Sequence, residues 1–165
     1  MKNLSENEAL LRLSALCSSG EHCTFELLEK MRRWQLSEEQ QASVMAYLEN
    51  HHFVDDERFA RAFALDKIRY NKWGRRKVEQ ALWAKHIDEA IRRRVLDEID
   101  EAEYIKVLRP LLKSRKRSTK AASDYELNMK LMRFALGRGF AADQIRACLD
   151  GAGDMDMTDE DSFLE

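Results

Sequence analysis

The chain has 165 residues, 44% of them hydrophobic and 35% charged, with one proline, six glycines and a net charge of −2. That balance fits a folded, soluble chain, and no apolar run comes near the length that crosses a membrane. Few helix breakers and few β-branched runs point to helices joined by short connections.

The expected helices follow in chain order. Residues 5–18 open on Ser5-x-x-Glu8, a capping-box pattern, and Arg12 interrupts the apolar run, so the segment reads as an amphipathic helix rather than a signal core. Helices over 24–34 and 37–50 follow, from Thr24 and from Ser37-x-x-Gln40. Asp55, Gly74 and Asp88 start helices over 55–72, 74–85 and 88–98. The seventh, 101–117, contains Pro110, which should kink or divide it. Ser123-x-x-Glu126 opens 123–137, and 142–149 is the last. Apolar residues recur at spacings of three and four throughout.

The helices repeat one pattern. Gln35-Leu36, His86-Ile87 and Gly139-Phe140 each place a small or polar residue before an apolar one at the corner between two helices. The expected fold is therefore all-α: an elongated array of three tandem three-helix repeats, over 1–52, 53–99 and 100–150. The acidic stretch 151–165 is expected to be a solvated, disordered tail that screens the basic middle. Cys17, Cys23 and Cys148 form no CxxC pair; three thiols fit a reducing cytoplasm, as mostly buried filler.

In FVDDERFARAF, residues 53–63, three acids stand together. With Asp55 as N-cap, Asp56 and Glu57 fall in the first helical turn, where the dipole favours negative charge, and Val54 with Phe59 forms a hydrophobic staple. Capping explains the cluster without a metal or catalysis. His51-His52 is the only nearby source of further ligands, and it is poorly placed to converge with those acids. On the same helix Arg58, Arg61, Arg69 and Lys72 form a stripe, while Phe59, Phe63 and Tyr70 are expected to face the core.

Charge is segregated along the chain. Residues 1–57 carry a net −6, 58–94 a net +8, 95–121 a net +2 and 122–165 a net −6. Arg75, Arg76 and Lys77 sit in the first turn of a helix, the unfavourable end for cations, where free N–H groups suit phosphates or carboxylates. Lys85, Arg92, Arg93 and Arg94 extend the basic zone, as do Lys113, Arg115, Lys116 and Arg117 after the proline. Such segregation marks a partner- or nucleic-acid-binding surface.

The combination of FVDDERFARAF, WGRRKVEQALWAKHI and ALGRGFAADQI resembles the RecX regulatory family, whose members modulate the RecA recombinase; the likeness spans roughly residues 10–150. It implies an all-helical, elongated protein that binds the deep groove of the RecA–DNA filament, blocks its growth and damps its ATPase, strand-exchange and co-protease activities. It also implies a place in DNA repair, homologous recombination and the SOS response. Asp55-Asp56 and Phe59-Ala60 match the family signature. Where the family has glycine before the corner residue, this chain has Gln35 and His86, so those turns are expected to be built differently.

The expected activity is inhibition of the RecA filament by a cytoplasmic monomer, with single- or double-stranded DNA as a second contact and no membrane contact. The alternative is a helical nucleic-acid-binding protein acting without RecA. No phosphate loop, HExxH or GxSxG occurs, and neither an enzyme nor a cofactor is expected.

Overall fold

The computed structural model describes residues 3–150; the acidic stretch 151–165 lies outside the described residues. Among the described residues there are nine helices and no strand: α1 Glu6–Ser19, α2 Thr24–Arg33, α3 Glu38–Asn50, α4 Asp56–Arg69, α5 Arg75–Ala84, α6 Glu89–Asp97, α7 Glu101–Ser118, α8 Asp124–Gly137 and α9 Ala142–Leu149. The all-α expectation holds. The largest departure is the end of α4, expected at 72 and found at Arg69.

Local chemistry explains the starts. Ser5 with Glu8 and Ser37 with Gln40 form complete capping boxes. Ser123 accepts from the Glu126 amide, but the Glu126 carboxylate reaches the Ala122 amide, so that box is half-built. Thr24 is the first residue of α2 rather than its cap. Pro110 does not divide α7, which runs through it as one helix. The proline is exposed, so the Lys106 carbonyl that loses its i+4 donor lies on the solvent side.

Contacts group the chain into two compact units: residues 1–63 with 81–95, and residues 64–80 with 96–165. The helices α4, α5 and α6 therefore contribute to both. The first unit packs Leu4, Ala9, Leu13, Leu27, Met31, Val44 and Leu48 into one core, flanked by Trp34 and Phe53. In the second unit Ile68, Val78, Leu108, Leu131, Phe140 and Ile145 are buried, and α7, α8 and α9 pack on one another.

Four corners share one construction. Gln35, His52, His86 and Gly139 take positive φ, of 62°, 61°, 57° and 97°. In each, the next residue's amide reaches back five positions, Leu36 to Met31 and Ile87 to Leu82 at 3.1 Å, Phe53 to Leu48 at 2.8 Å and Phe140 to Ala135 at 3.2 Å. This is the Schellman stop, with an apolar residue closing the corner. Gln35 and His86 thus use the glycine geometry after all, contrary to the expectation of a different turn. Two backbone bonds and burial of Leu36 and Ile87 hold the left-handed residue in place.

Candidate polyanion-binding surface

The acid cluster at the head of α4 is structural. The Asp55 carboxylate accepts from the Glu57 and Arg58 amides at 3.0 Å, while Val54 and Phe59 are buried. Asp56 does more than favour its own helix: its carboxylate accepts from the Thr24 amide at 2.8 Å and so caps α2. Glu57 accepts from both Arg61 and Arg94, and these two guanidinium groups hold its carboxyl below the ordinary value.

Five of the cations expected at the surface, Arg58, Arg61, Lys85, Arg93 and Arg94, pair with carboxylates of their own unit. Arg58 pairs with Glu21 at 2.7 Å and donates to the His52 and Phe53 carbonyls, closing the α3–α4 corner. Arg61 pairs with Glu57 at 2.6 Å, and Arg93 with Glu89 at 2.8 Å. Lys85 meets Glu26 at 2.8 Å. Burial works to raise the Glu26 carboxyl, but hydrogen bonds from Lys85 and the Cys23 amide carry it below its ordinary value. Arg92 donates to the Ile87 carbonyl at 2.7 Å.

In the second unit, the start of α5 is not open to a ligand in the way its sequence suggests. The Gly74 amide donates to the Arg138 carbonyl at 2.8 Å and the Arg76 amide to the Gly139 carbonyl at 3.1 Å. Carbonyl oxygens of the α8–α9 corner therefore occupy the positive end of α5. The exchange is reciprocal. Arg76 donates through its side chain to the Leu136 carbonyl at 2.8 Å, and Arg138 reaches back to the Asn71 and Lys72 carbonyls beyond α4. Gly74 permits this approach, because a Cβ there would lie 2.3 Å from the Gly139 carbonyl carbon and the Phe140 nitrogen. Arg75 pairs with Asp97 at 2.6 Å, and Lys77 and Lys67 sit over the Trp73 ring.

Two concavities lie in this unit. One, of about 590 Å³, is lined by Arg75 and Arg76, but also by Glu79 and Glu101, so its charges balance. The other, of about 470 Å³, is lined by Arg69 and Lys72 near the end of α4 and by Lys106, Val107, Pro110 and Leu111 on α7, against a single carboxylate, Glu103. Glu103 pairs with Arg69 at 3.1 Å. Lys72 has positive φ and donates to the Arg69 carbonyl at 2.7 Å.

The helix α7 continues this groove as a cationic face. Lys106, Pro110, Lys113 and Arg117 step by four, three and four, which places them on one side. All four are exposed, and the three cations carry no ion pair among the described residues. Arg115 lies over the Phe134 ring at 4.3 Å, and Lys116 is half-buried. Excess positive charge is thus concentrated along α7 and the groove beside it. Sequence reasoning missed Lys106 because it stands outside the basic runs; its helical spacing to Pro110 and Lys113 was the available signal. It also placed Tyr70 on the core side, whereas Tyr70 is 77% exposed. The three thiols are free, and burial raises each of them, Cys23 to about 11. No helix among the described residues is long and apolar enough to cross a membrane.

Comparisons with known proteins fit this architecture. The second three-helix domain of RecX matches residues 55–96 and the third matches residues 101–149. The regulatory protein RecX of Chlorobium limicola is 32% identical over 142 residues, 85% of this chain and 86% of its own. That of Acinetobacter baylyi is 30% identical over 131 residues, 79% of each chain. Among solved structures, RecX from Lactobacillus salivarius aligns with a TM-score of 0.78 at 15% identity, over 90% of this chain and 96% of that one. A second RecX crystal structure aligns at 0.80 and 16%, over 88% and 73%. The structural likeness carries the fold, the sequence matches carry the kinship, and together they place this chain in the RecX family of regulatory proteins.

Proposed function

We propose that this protein binds the RecA–DNA filament and inhibits its ATPase, strand-exchange and co-protease activities by occupying the filament groove. The observation that carries the reading is the cationic face of α7, with Lys106, Lys113 and Arg117 unpaired among the described residues beside a groove holding Arg69 and Lys72. Unpaired cations gain most from a partner's phosphates or carboxylates. Arg58, Arg61, Arg93 and Arg94 would only exchange one exposed ion pair for another, worth about 0–1 kcal/mol each, and Lys85 is held in a part-buried pair with Glu26.

In this reading Arg115 and Lys116 flank the main contact, the three-helix sets 1–52, 53–99 and 100–150 are its structural units, and the protein acts in the cytoplasm as a monomer without catalysing a reaction. Nucleic-acid binding without RecA is the second reading, favoured by the same unpaired cations.

RecA-dependent ATP hydrolysis on single-stranded DNA tests the proposal. The wild-type chain should suppress it, and Lys106→Glu, Lys113→Glu and Arg117→Glu together should relieve the suppression while leaving helicity unchanged. Unaltered hydrolysis with wild-type protein would refute it. Reversing Arg75, Arg76 and Lys77 is a less clean test, because Arg76 also caps α8.

A further inference from the structure

We infer that the acidic segment 151–165 of this same chain docks on the cationic face of α7 and shields Lys106, Lys113 and Arg117. Any acidic partner of that face must then displace it. The inference goes beyond the filament reading, because it concerns what covers α7 in the isolated protein.

Three observations name this occupant. The first is charge: the sequence from Asp154 to Glu165 holds six carboxylates and no cation. The basic middle of the chain cannot use them well, since Arg58, Arg61, Lys85, Arg93 and Arg94 already have carboxylate partners. The cations without an ion pair among the described residues are Lys106, Lys113 and Arg117, spread along about 16 Å of α7.

The second is delivery. The helix α9 packs on α7, and close to its end the Cys148 thiol feels the Arg109 guanidinium. The chain therefore leaves α9 beside the middle of α7, within the same compact unit. The fifteen residues that follow Asp150 span at most about 50 Å, more than enough to follow α7 to Arg117. Tethering also supplies an effective concentration on the order of millimolar, so weak exposed ion pairs suffice. A second copy would offer the same acids only at its free concentration.

The third is the mixture of side chains. Met155, Met157, Phe163 and Leu164 are interspersed with the acids, and Val107, Pro110 and Leu111 give the groove beside Lys106 an apolar floor. Acids meet the cations while apolar groups meet the floor.

Zero-length carbodiimide coupling of the full chain tests the contact. The reagent activates a carboxylate, a lysine Nζ displaces the activated oxygen, and the amide forms as the reagent takes up the water. Mass spectrometry of the monomeric fraction should find Lys106 and Lys113 joined to acids of 154–165. The yield should fall about tenfold at about 1 M salt, where the screening length is about 3 Å. Lys113→Glu with Arg117→Glu should cut the Lys106 link about fivefold, with helicity unchanged because both side chains are exposed. Links scattered over lysines of both units would mean charge screening without docking, and links confined to a dimeric fraction would mean a second copy; either overturns the inference.

Inorganic polyphosphate reads the shielding itself. Replacing all six acids by their amides, in the full chain, should raise polyphosphate affinity about tenfold at about 0.05 M salt and leave it nearly equal at about 0.5 M. Unchanged affinity at low salt would also overturn the inference.

RecA-dependent ATP hydrolysis separates this claim from the filament reading. Specific α7 links in a protein that leaves hydrolysis untouched would keep the docked segment and remove the filament reading. Inhibition by a wild-type chain whose links are absent or scattered would do the opposite.

Discussion

Replacing Gln35 by glycine should stabilise the protein, an unusual direction for a glycine placed beside a helix. Gln35 holds φ at 62°, where a side chain costs about 1–2 kcal/mol relative to the right-handed region. Glycine removes that cost but gains freedom in the unfolded chain, worth about 0.4–1 kcal/mol against folding. Gln35 is exposed and its side chain makes no hydrogen bond that would offset the difference, so a net gain of about 0.5–1 kcal/mol remains. That corresponds to a rise of roughly 2–3 °C in the melting of a chain this size, measured by circular dichroism. His86→Gly is the comparison. It relieves the same strain at φ 57° but loses the ring contact with Phe25 at 4.2 Å, worth about 0.5–1.5 kcal/mol. The two effects should nearly cancel. A lower melting temperature for Gln35→Gly would refute the account of the corner.

Gly74→Ala should cost about 3–5 kcal/mol, from forced separation of two backbones and loss of the Gly74 and Arg76 amide bonds; a melting temperature within a degree of wild type would contradict the close approach. Pro110→Ala should stabilise α7 by about 2 kcal/mol, the helix-interior penalty less the unfolded-chain gain, read by urea denaturation. The Glu26 carboxyl lies below its ordinary value of 4.5 in the folded chain, so its contribution is present above 4.5 and lost as pH falls through the folded value. Acid unfolding curves of wild type and Glu26→Gln should therefore converge at low pH; curves that stay parallel throughout would argue against the Lys85 contact.

The elements were readable in the sequence because their causes are local. Ser5, Ser37 and Asp55 act on amides two or three positions away, and the apolar spacing marks the faces that the first unit buries. The spacing of Tyr70 from Phe59 and Phe63 places it on the core side. It is nevertheless 77% exposed although its amide still bonds the Asp66 carbonyl at 2.9 Å, because register alone does not say where along a helix its neighbours stop covering it. The charge pattern was visible, but its neutralisation was not. Arg58 finds Glu21 across 37 positions and Lys85 finds Glu26 across 59, and no local rule announces such partners. The carbonyls that meet the head of α5 come from more than 60 residues downstream, which is why that terminus read as open.

That last feature bears on how the protein is made. On the ribosome the segment around residues 71–76 emerges long before Arg138 and Gly139 exist as folded partners, so its carbonyls and amides must wait in water for most of the remaining synthesis. Long-separation closures of this kind come late, after the intervening loop entropy has been overcome. The C-terminal helices are therefore a finishing clasp on the centre of the chain, and truncation within them would leave the middle of the protein unlatched as well.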